Sequence, residues 1–103
     1  MFELEEEVAF LPNMRLVFRV HAMKRMFQRD VSVEDVKIVL SSGVIIETYP
    51  ADKPYPSRLI LGFVGDRPIH IVAADNMDAG ETIIITVYEP DPRLWEADFQ
   101  RRK

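Results

Sequence analysis

Three basic side chains recur at every fourth position in the first third of the sequence, namely His21, Arg25 and Arg29. On a helix, this spacing places side chains on adjacent turns of one face, with Cβ atoms about 6 Å apart. Guanidinium groups offer paired hydrogen-bond donors to phosphate oxygens, and an imidazole can move a proton near neutral pH. The spacing therefore predicts either a phosphate site with acid–base capacity or a solvated helix face on which Arg29 pairs with Asp30 or an acid of the next helix.

The second histidine, His70, lies in an apolar strand candidate over 67–74. A two-residue turn at Gly65-Asp66 would place His70 opposite Leu61, whereas a one-residue bulge would shift it towards Ile60. The register decides whether His70 is a hydrogen-bonded structural group or a catalytic group.

Three further polar residues lie at strand ends. Thr86 and Tyr88 share one face at the end of the last strand candidate, where the phenol would donate to a phosphate or simply pack at an edge. Arg58 begins an earlier strand, and it would either clamp a phosphate or pair with Asp52 or Glu47. These residues complete the candidate set, in which His21, Arg25, His70 and Tyr88 are predicted to be catalytic and Arg29, Arg58 and Thr86 to bind substrate.

The triplet of basic residues needs a helix to align it, and the pattern over 21–29 predicts one. The helical wheel has a polar arc (His21, Lys24, Arg25, Gln28 and Arg29) and an apolar arc (Ala22, Met23, Met26 and Phe27). Ser32 and Asp35 have the spacing of a capping box for a second helix. Gly43 is predicted to end that helix in a left-handed conformation.

The second half of the sequence is rich in β-branched residues and turn signals. Four strands are predicted over 44–49, 57–64, 67–74 and 81–88. Strict alternation in the last of them predicts Thr82, Ile84, Thr86 and Tyr88 on one face. The element order predicts an α+β fold with two N-terminal helices packed on a four-stranded, mainly antiparallel sheet.

Length and composition indicate one domain over 1–103. The 103 residues, 48% of them hydrophobic, suffice for a single core, and the sequence has no cysteine, hence neither disulfides nor thiolate chemistry. We expect an acidic segment at 1–13, which has a weak helical pattern over 2–10. The core is expected at 14–93, with a short extended entry at 14–20, and a tail or short helix at 94–103. No metal or cofactor motif is present, and a cytoplasmic location is expected.

The net charge argues against nucleic-acid binding, but the distribution of charge along the chain does not. The chain carries 13 basic and 17 acidic residues, a formal net charge of −4. Four glutamates lie within the first 13 positions, so the other 90 residues balance, and 14–29 contains no acid. The segment around His21 is thus a local cationic region inside an acidic protein.

Several segments together resemble a bacterial family called domain of unknown function 4258, over roughly residues 14–93. The matching segments are HAMKRMFQR at 21–29, VSVEDV at 31–36, GVIIETYP at 43–50, YPSRL at 55–59, RPIHIV at 67–72 and TVYEP at 86–90. That family often has Gly-Ile after the second arginine, where this chain has Asp30 and Val31. The family is similar in its expected topology to RelE and barnase-like ribonucleases.

The resemblance implies a RelE-like fold and a metal-independent endoribonuclease without cofactors, acting as the toxin of a toxin–antitoxin pair. It implies His21 or His70 as base and acid, Arg25 and Arg58 as charge stabilisers and Tyr88 as a positioning donor. RNA and an antitoxin-like protein are the expected partners. The alternative is a non-catalytic binding or regulatory module whose cationic helix face docks an acidic partner. In a further alternative, the acidic N-terminal segment itself covers that face.

Overall fold

The computed structural model describes residues 13–103, so the weak helix predicted over 2–10 and most of the acidic segment lie outside the described residues. The described chain has an α+β fold, as expected. Its elements in chain order are β1 (Arg15–Phe18), α1 (Val20–Arg29), α2 (Val33–Ser42), β2 (Val44–Tyr49), β3 (Ser57–Val64), β4 (Arg67–Asn76) and β5 (Glu81–Tyr88).

The sheet differs from the predicted one in strand number and direction. It has five strands in the order β1-β5-β4-β3-β2, and β1 pairs with β5 in parallel while the other pairs are antiparallel. The additional strand comes from the predicted extended entry at 14–20. Parallel pairing with a distant strand needs no turn next to it, so the local sequence carries no signal for it.

The helix ends follow local chemistry. Ser32 Oγ accepts from the Asp35 backbone N–H at 3.0 Å, and Asp35 accepts from the Ser32 backbone N–H at 3.0 Å, which confirms the capping box. Asp30 ends α1 in the left-handed conformation with φ 57°. The left-handed prediction for Gly43 is wrong, because its φ is −83°. Glycine fits there for another reason, since a Cβ would lie 2.5 Å from the Val39 carbonyl oxygen.

Both helices pack on one face of the sheet, α1 against β5 and α2 against β3. The core lies between them, and its buried members are Ala22, Met26, Val31, Val36, Val39, Leu40, Ile60, Ile69, Ile71, Ala73, Ile84 and Val87. Ile84 and Val87 both belong to this core because the β4–β5 register shifts between them. The predicted strict alternation of β5 is therefore wrong: Ile84 faces the helices, whereas Thr86 and Tyr88 face away.

The C-terminal tail covers part of the opposite face. Of the two alternatives for 94–103, the structure has the tail, with turns and an isolated antiparallel bridge between Trp95 and Arg102. Trp95 is buried against the sheet. Within the part of the chain that the structure describes, no helix is long and apolar enough to cross a membrane.

The apolar arc predicted for α1 is only half buried. Ala22 and Met26 face the core, but Met23 is 56% exposed and Phe27 89% exposed. The arc is wider than the contact that β5 provides, because a single helix packed on a sheet face buries only the stripe that points at the sheet. Met23 and Phe27 therefore form an apolar surface next to the core-facing stripe.

Two neighbouring substitutions in α1 should have unequal effects on stability. We expect Met26→Ala to lower the free energy of unfolding by about 2 to 5 kcal/mol, because it opens a cavity in the core. Phe27→Ala should change it by less than about 0.5 kcal/mol, because the ring is exposed. Denaturant unfolding followed by circular dichroism measures both. Equal losses in the two variants would contradict the orientation of α1.

Candidate functional site

A depression on the protein surface forms where α1 runs beside the last strand. β1 ends at Phe18, the Arg19 N–H donates to the Ile84 carbonyl at 3.0 Å, and α1 then packs against β5. Helix and strand bring predicted residues together in a space of about 330 Å³, which we name the arginine depression. Its lining consists of Arg25, Arg29, Thr86, Tyr88, Glu89, Asp91, Leu94, Trp95 and Arg102.

The carboxylates of the arginine depression already have cationic partners outside it. Glu89 accepts from Arg67 Nε at 2.9 Å, and Asp91 pairs with Arg93 at 3.0 Å. The pairing with Arg93 lowers the pKa of the Asp91 carboxyl, first through the side-chain hydrogen bond and then through the Arg93 backbone N–H. The charges of both acids are therefore largely offset by arginines that lie outside the lining of the arginine depression.

The three guanidiniums of the arginine depression have no such partners among the described residues. Within residues 13–103, Arg25, Arg29 and Arg102 form no ion pair with a carboxylate. The local pairing considered for Arg29 is absent there too. Cations held close together without counterions attract an anion, and planar guanidiniums match phosphate geometry.

Arg102 was not among the residues predicted from sequence. Its guanidinium lies 4.6 Å from the centroid of the Trp95 ring, a cation–π contact that holds it at the rim of the arginine depression. The available signals were the single tryptophan of the chain and the basic ending Arg101-Arg102-Lys103. Neither indicates that the tail folds back over the sheet.

His70 lies beneath the arginine depression and is fully buried. The hairpin turn has two residues, so the predicted pairing with Leu61 is confirmed, and Tyr88 is its partner on the other side. Nε2 lies 2.8 Å from the Phe99 carbonyl oxygen, and Nδ1 lies 3.1 Å from the Tyr88 hydroxyl. A carbonyl only accepts, so Nε2 carries the proton; in the neutral ring, Nδ1 then accepts from the Tyr88 O–H.

The surroundings favour that neutral ring. Burial lowers the pKa of His70, and the positive charge of Arg102 adds to this, while the Phe99 carbonyl opposes it. The Trp95 ring closes over the imidazole edge-to-face at 4.6 Å between centroids. Burial also raises the pKa of the Tyr88 phenol, so it remains protonated at neutral pH. Both groups thus meet as uncharged hydrogen-bond partners.

Comparison with known protein families finds one that matches most of the chain. Residues 18–89 match the family described as Domain of unknown function (DUF4258). The chain belongs to this family. The match runs from the end of β1 through Glu89. It therefore includes the four residues of α1 and β5 that line the arginine depression, namely Arg25, Arg29, Thr86 and Tyr88. No curated protein and no solved structure matches the chain, so the likeness to RelE and barnase-like ribonucleases stays a prediction.

The remaining predicted residues of this DUF4258 chain lie apart from the arginine depression. His21 is exposed one turn before Arg25 on the same stripe of α1, but it is not among the described residues that line the depression. Arg58 is opposite Ala73 in the register, and hence on the helix-bearing face, where it pairs with Asp75 at 3.3 Å. Asp52 and Glu47, the two partners considered from the sequence, accept hydrogen bonds from Ser57 and Tyr49.

The buried imidazole predicts a pH dependence of stability. The folded pKa of His70 lies below the ordinary 6.5 of the unfolded chain, so protons bind the unfolded chain first as the pH falls. The stability contributed by neutral His70 is complete above about pH 6.5 and is lost as the pH falls towards the folded pKa, by at most about 1.4 kcal/mol per pH unit.

Denaturant unfolding between pH 7 and pH 5 tests this expectation in matched histidine variants. The decrease in the free energy of unfolding should be smaller in His70→Gln than in the wild type, and unchanged in His21→Gln, which removes the exposed ring. A wild-type slope retained in His70→Gln would show that another group is responsible.

Proposed function

We propose that this DUF4258 domain binds RNA in the arginine depression and cleaves it without a metal ion. One observation carries the proposal: Arg25, Arg29 and Arg102 share the depression without carboxylate partners in the described chain, while its two acids pair with Arg67 and Arg93. In an acidic protein, this arrangement concentrates positive charge at one place. The phosphodiester backbone is the ligand that such charge favours.

The residues divide into groups that bind and a group that transfers a proton. Arg25 and Arg29 project from adjacent turns and would hold phosphate oxygens, with Arg102 completing the cluster. The Thr86 hydroxyl lines the same space and adds a neutral donor. His21 is the exposed imidazole of the described chain and follows the same stripe of α1, so it is the group that would exchange protons with solvent and RNA.

The proposed reaction is a transesterification. The ribose 2′-oxygen attacks phosphorus while its proton passes to the His21 imidazole. The bond between phosphorus and the 5′-oxygen breaks, and water protonates that oxygen, which leaves a 2′,3′-cyclic phosphate and a 5′-hydroxyl end. The hydroxide that remains takes the proton from His21. The guanidiniums stabilise the negative charge that develops on the phosphate oxygens.

Two residues predicted from the sequence do not act on the RNA in this proposal. His70 is buried and acts as a positioning residue for Tyr88 rather than as an acid or base. Arg58 lies on the other face of the sheet and stays outside the site. The predicted likeness to RelE and barnase-like ribonucleases motivates the cleavage step and extends the proposal to a cytoplasmic toxin of a toxin–antitoxin pair.

Charge-neutral variants of α1 test the binding site. Arg25→Gln should weaken binding of a labelled single-stranded RNA by roughly 10- to 100-fold, because a charge-assisted hydrogen bond to phosphate is lost. The salt dependence of the affinity should also become shallower by about one released counterion. Lys24→Gln is the matched control: it removes a cation from the same helix but outside the arginine depression, and should change affinity less than about twofold.

Cleavage is tested separately with the same RNA in the presence of a chelator. We expect the wild type to yield cyclic phosphate ends and His21→Ala to bind the RNA but to cleave it at a much lower rate. A full rate in His21→Ala would contradict its role. If the wild type cleaves none of several RNAs, the protein is not this enzyme, and equal losses of affinity in Arg25→Gln and Lys24→Gln would contradict the site.

A second candidate function has its own observation. Val20, Met23 and Phe27 form a continuous exposed stripe on α1, at 68%, 56% and 89% exposure, bordered by Lys24. Large apolar side chains grouped on a surface mark protein contacts. The segment from Asn13 to Arg29 has no acidic residue, so a second copy would bring like charges together. The stripe therefore favours an acidic partner protein, such as an antitoxin.

The partner proposal predicts which substitutions weaken binding of the partner protein and which do not. Any small acidic protein encoded beside this chain would be mixed with it, and the affinity of the complex would be measured by calorimetry. We expect Phe27→Ser to weaken the complex at least tenfold, because a large apolar contact is lost, with no effect on RNA binding. An exposed apolar residue elsewhere, as in Met77→Ser, is the control. Unchanged affinity in Phe27→Ser would contradict this docking surface.

A further inference from the structure

The hydroxyl of Tyr88 can accept a hydrogen bond from a ligand but cannot donate one. Its proton is donated to His70 Nδ1 at 3.1 Å, because the other ring nitrogen is committed to the Phe99 carbonyl at 2.8 Å. Within the described chain, no side chain or backbone N–H donates to the Tyr88 oxygen. Tyr88 lines the arginine depression. With its proton held inside, the phenol offers the depression an acceptor and no donor.

His70 keeps Nε2 as the donor and Nδ1 as the acceptor because its ring has no freedom to turn. The imidazole is fully buried, Trp95 packs edge-to-face on it at 4.6 Å, and Tyr88 contacts it edge-to-face at 5.2 Å between centroids. A ring flip would place the carbons Cε1 and Cδ2 where Nε2 and Nδ1 now lie, and both hydrogen bonds would be lost. The other neutral tautomer would leave an unprotonated Nε2 and the Phe99 carbonyl as two acceptors facing each other. The tertiary structure therefore sets the direction of the Tyr88 hydrogen bond.

A neutral acceptor beside three guanidiniums defines the ligand it suits. The ligand must present phosphate oxygens to the arginines and, within a few ångströms of them, a hydrogen-bond donor to Tyr88. A ribonucleotide has both, because its 2′-hydroxyl is next to its 3′-phosphate. A deoxyribonucleotide has the phosphate and lacks the donor.

We infer that Tyr88, oriented by His70, accepts a hydrogen bond from a ribose 2′-hydroxyl and makes the arginine depression selective for RNA over DNA. This inference rests on the proposed RNA binding and concerns a 2′-hydroxyl other than the attacking one, whose proton goes to His21, so it holds whether or not the RNA is cleaved. In this role, Tyr88 determines specificity and His70 is a positioning residue.

Affinities for two matched oligonucleotides test the inference. The probes are one single-stranded RNA and a DNA of the same base sequence with deoxyuridine in place of uridine, measured by fluorescence anisotropy and checked for integrity on a gel. The wild type should bind the RNA roughly three- to tenfold more tightly. Tyr88→Phe should lower RNA affinity to that for DNA and leave DNA affinity unchanged. Tyr49→Phe is the control, because the Tyr49 hydroxyl donates to Glu47 at 2.6 Å.

Nuclear magnetic resonance of ¹⁵N-labelled histidine gives a readout that needs no variant and no RNA. At neutral pH, His70 should show a protonated Nε2 and an unprotonated Nδ1, and the opposite tautomer would overturn the inference. Equal wild-type affinity for RNA and DNA, or equal losses of both in Tyr88→Phe, would overturn it while leaving RNA binding intact. If the wild type binds neither oligonucleotide, the proposed function itself fails and the inference fails with it.

Discussion

The pair of hydrogen bonds at the buried His70 organises the surface above it. Through Nε2, the imidazole anchors the Phe99 carbonyl, and so the tail, on the sheet; through Nδ1, it orients Tyr88 on the neighbouring strand. Anchoring the tail brings Trp95 over the ring and Arg102 over Trp95. A buried imidazole must have its polar atoms satisfied, and here that requirement shapes one wall of the arginine depression.

Charge pairing sets five arginines of the described chain apart from the three that line the arginine depression. Arg15, Arg58, Arg67, Arg93 and Arg101 each lie within ion-pair distance of a carboxylate. Within residues 13–103, those lining the arginine depression do not, and the acids beside them are engaged by Arg67 and Arg93. Surface ion pairs contribute little to stability, but they decide where positive charge remains available. The net charge of −4 says nothing about this distribution.

Two irregularities of the sheet place the helix and strand that meet at the site. β1 is only four residues long, so its pairing covers just the first half of β5, while Arg25 and Arg29 of α1 lie beside residues of the second half in the arginine depression. The register shift near Ile85 then turns Thr86 and Tyr88 away from the core while Ile84 and Val87 remain in it. A longer β1 or a regular β5 would have presented different side chains beside Arg25.

Local sequence determined much of this protein: both helices, four strands, the capping box, the hairpin register of His70 and the common stripe of His21, Arg25 and Arg29. These depend on side-chain periodicity, capping and turn chemistry, which act over a few residues. The tertiary structure decided the parallel β1, the bulge in β5, the tail over His70, the exposure of Phe27 and the separation of Arg58 from Tyr88. Each depends on contacts between residues far apart in the chain, where the free energy of packing outweighs local preference and leaves no periodic trace in the sequence.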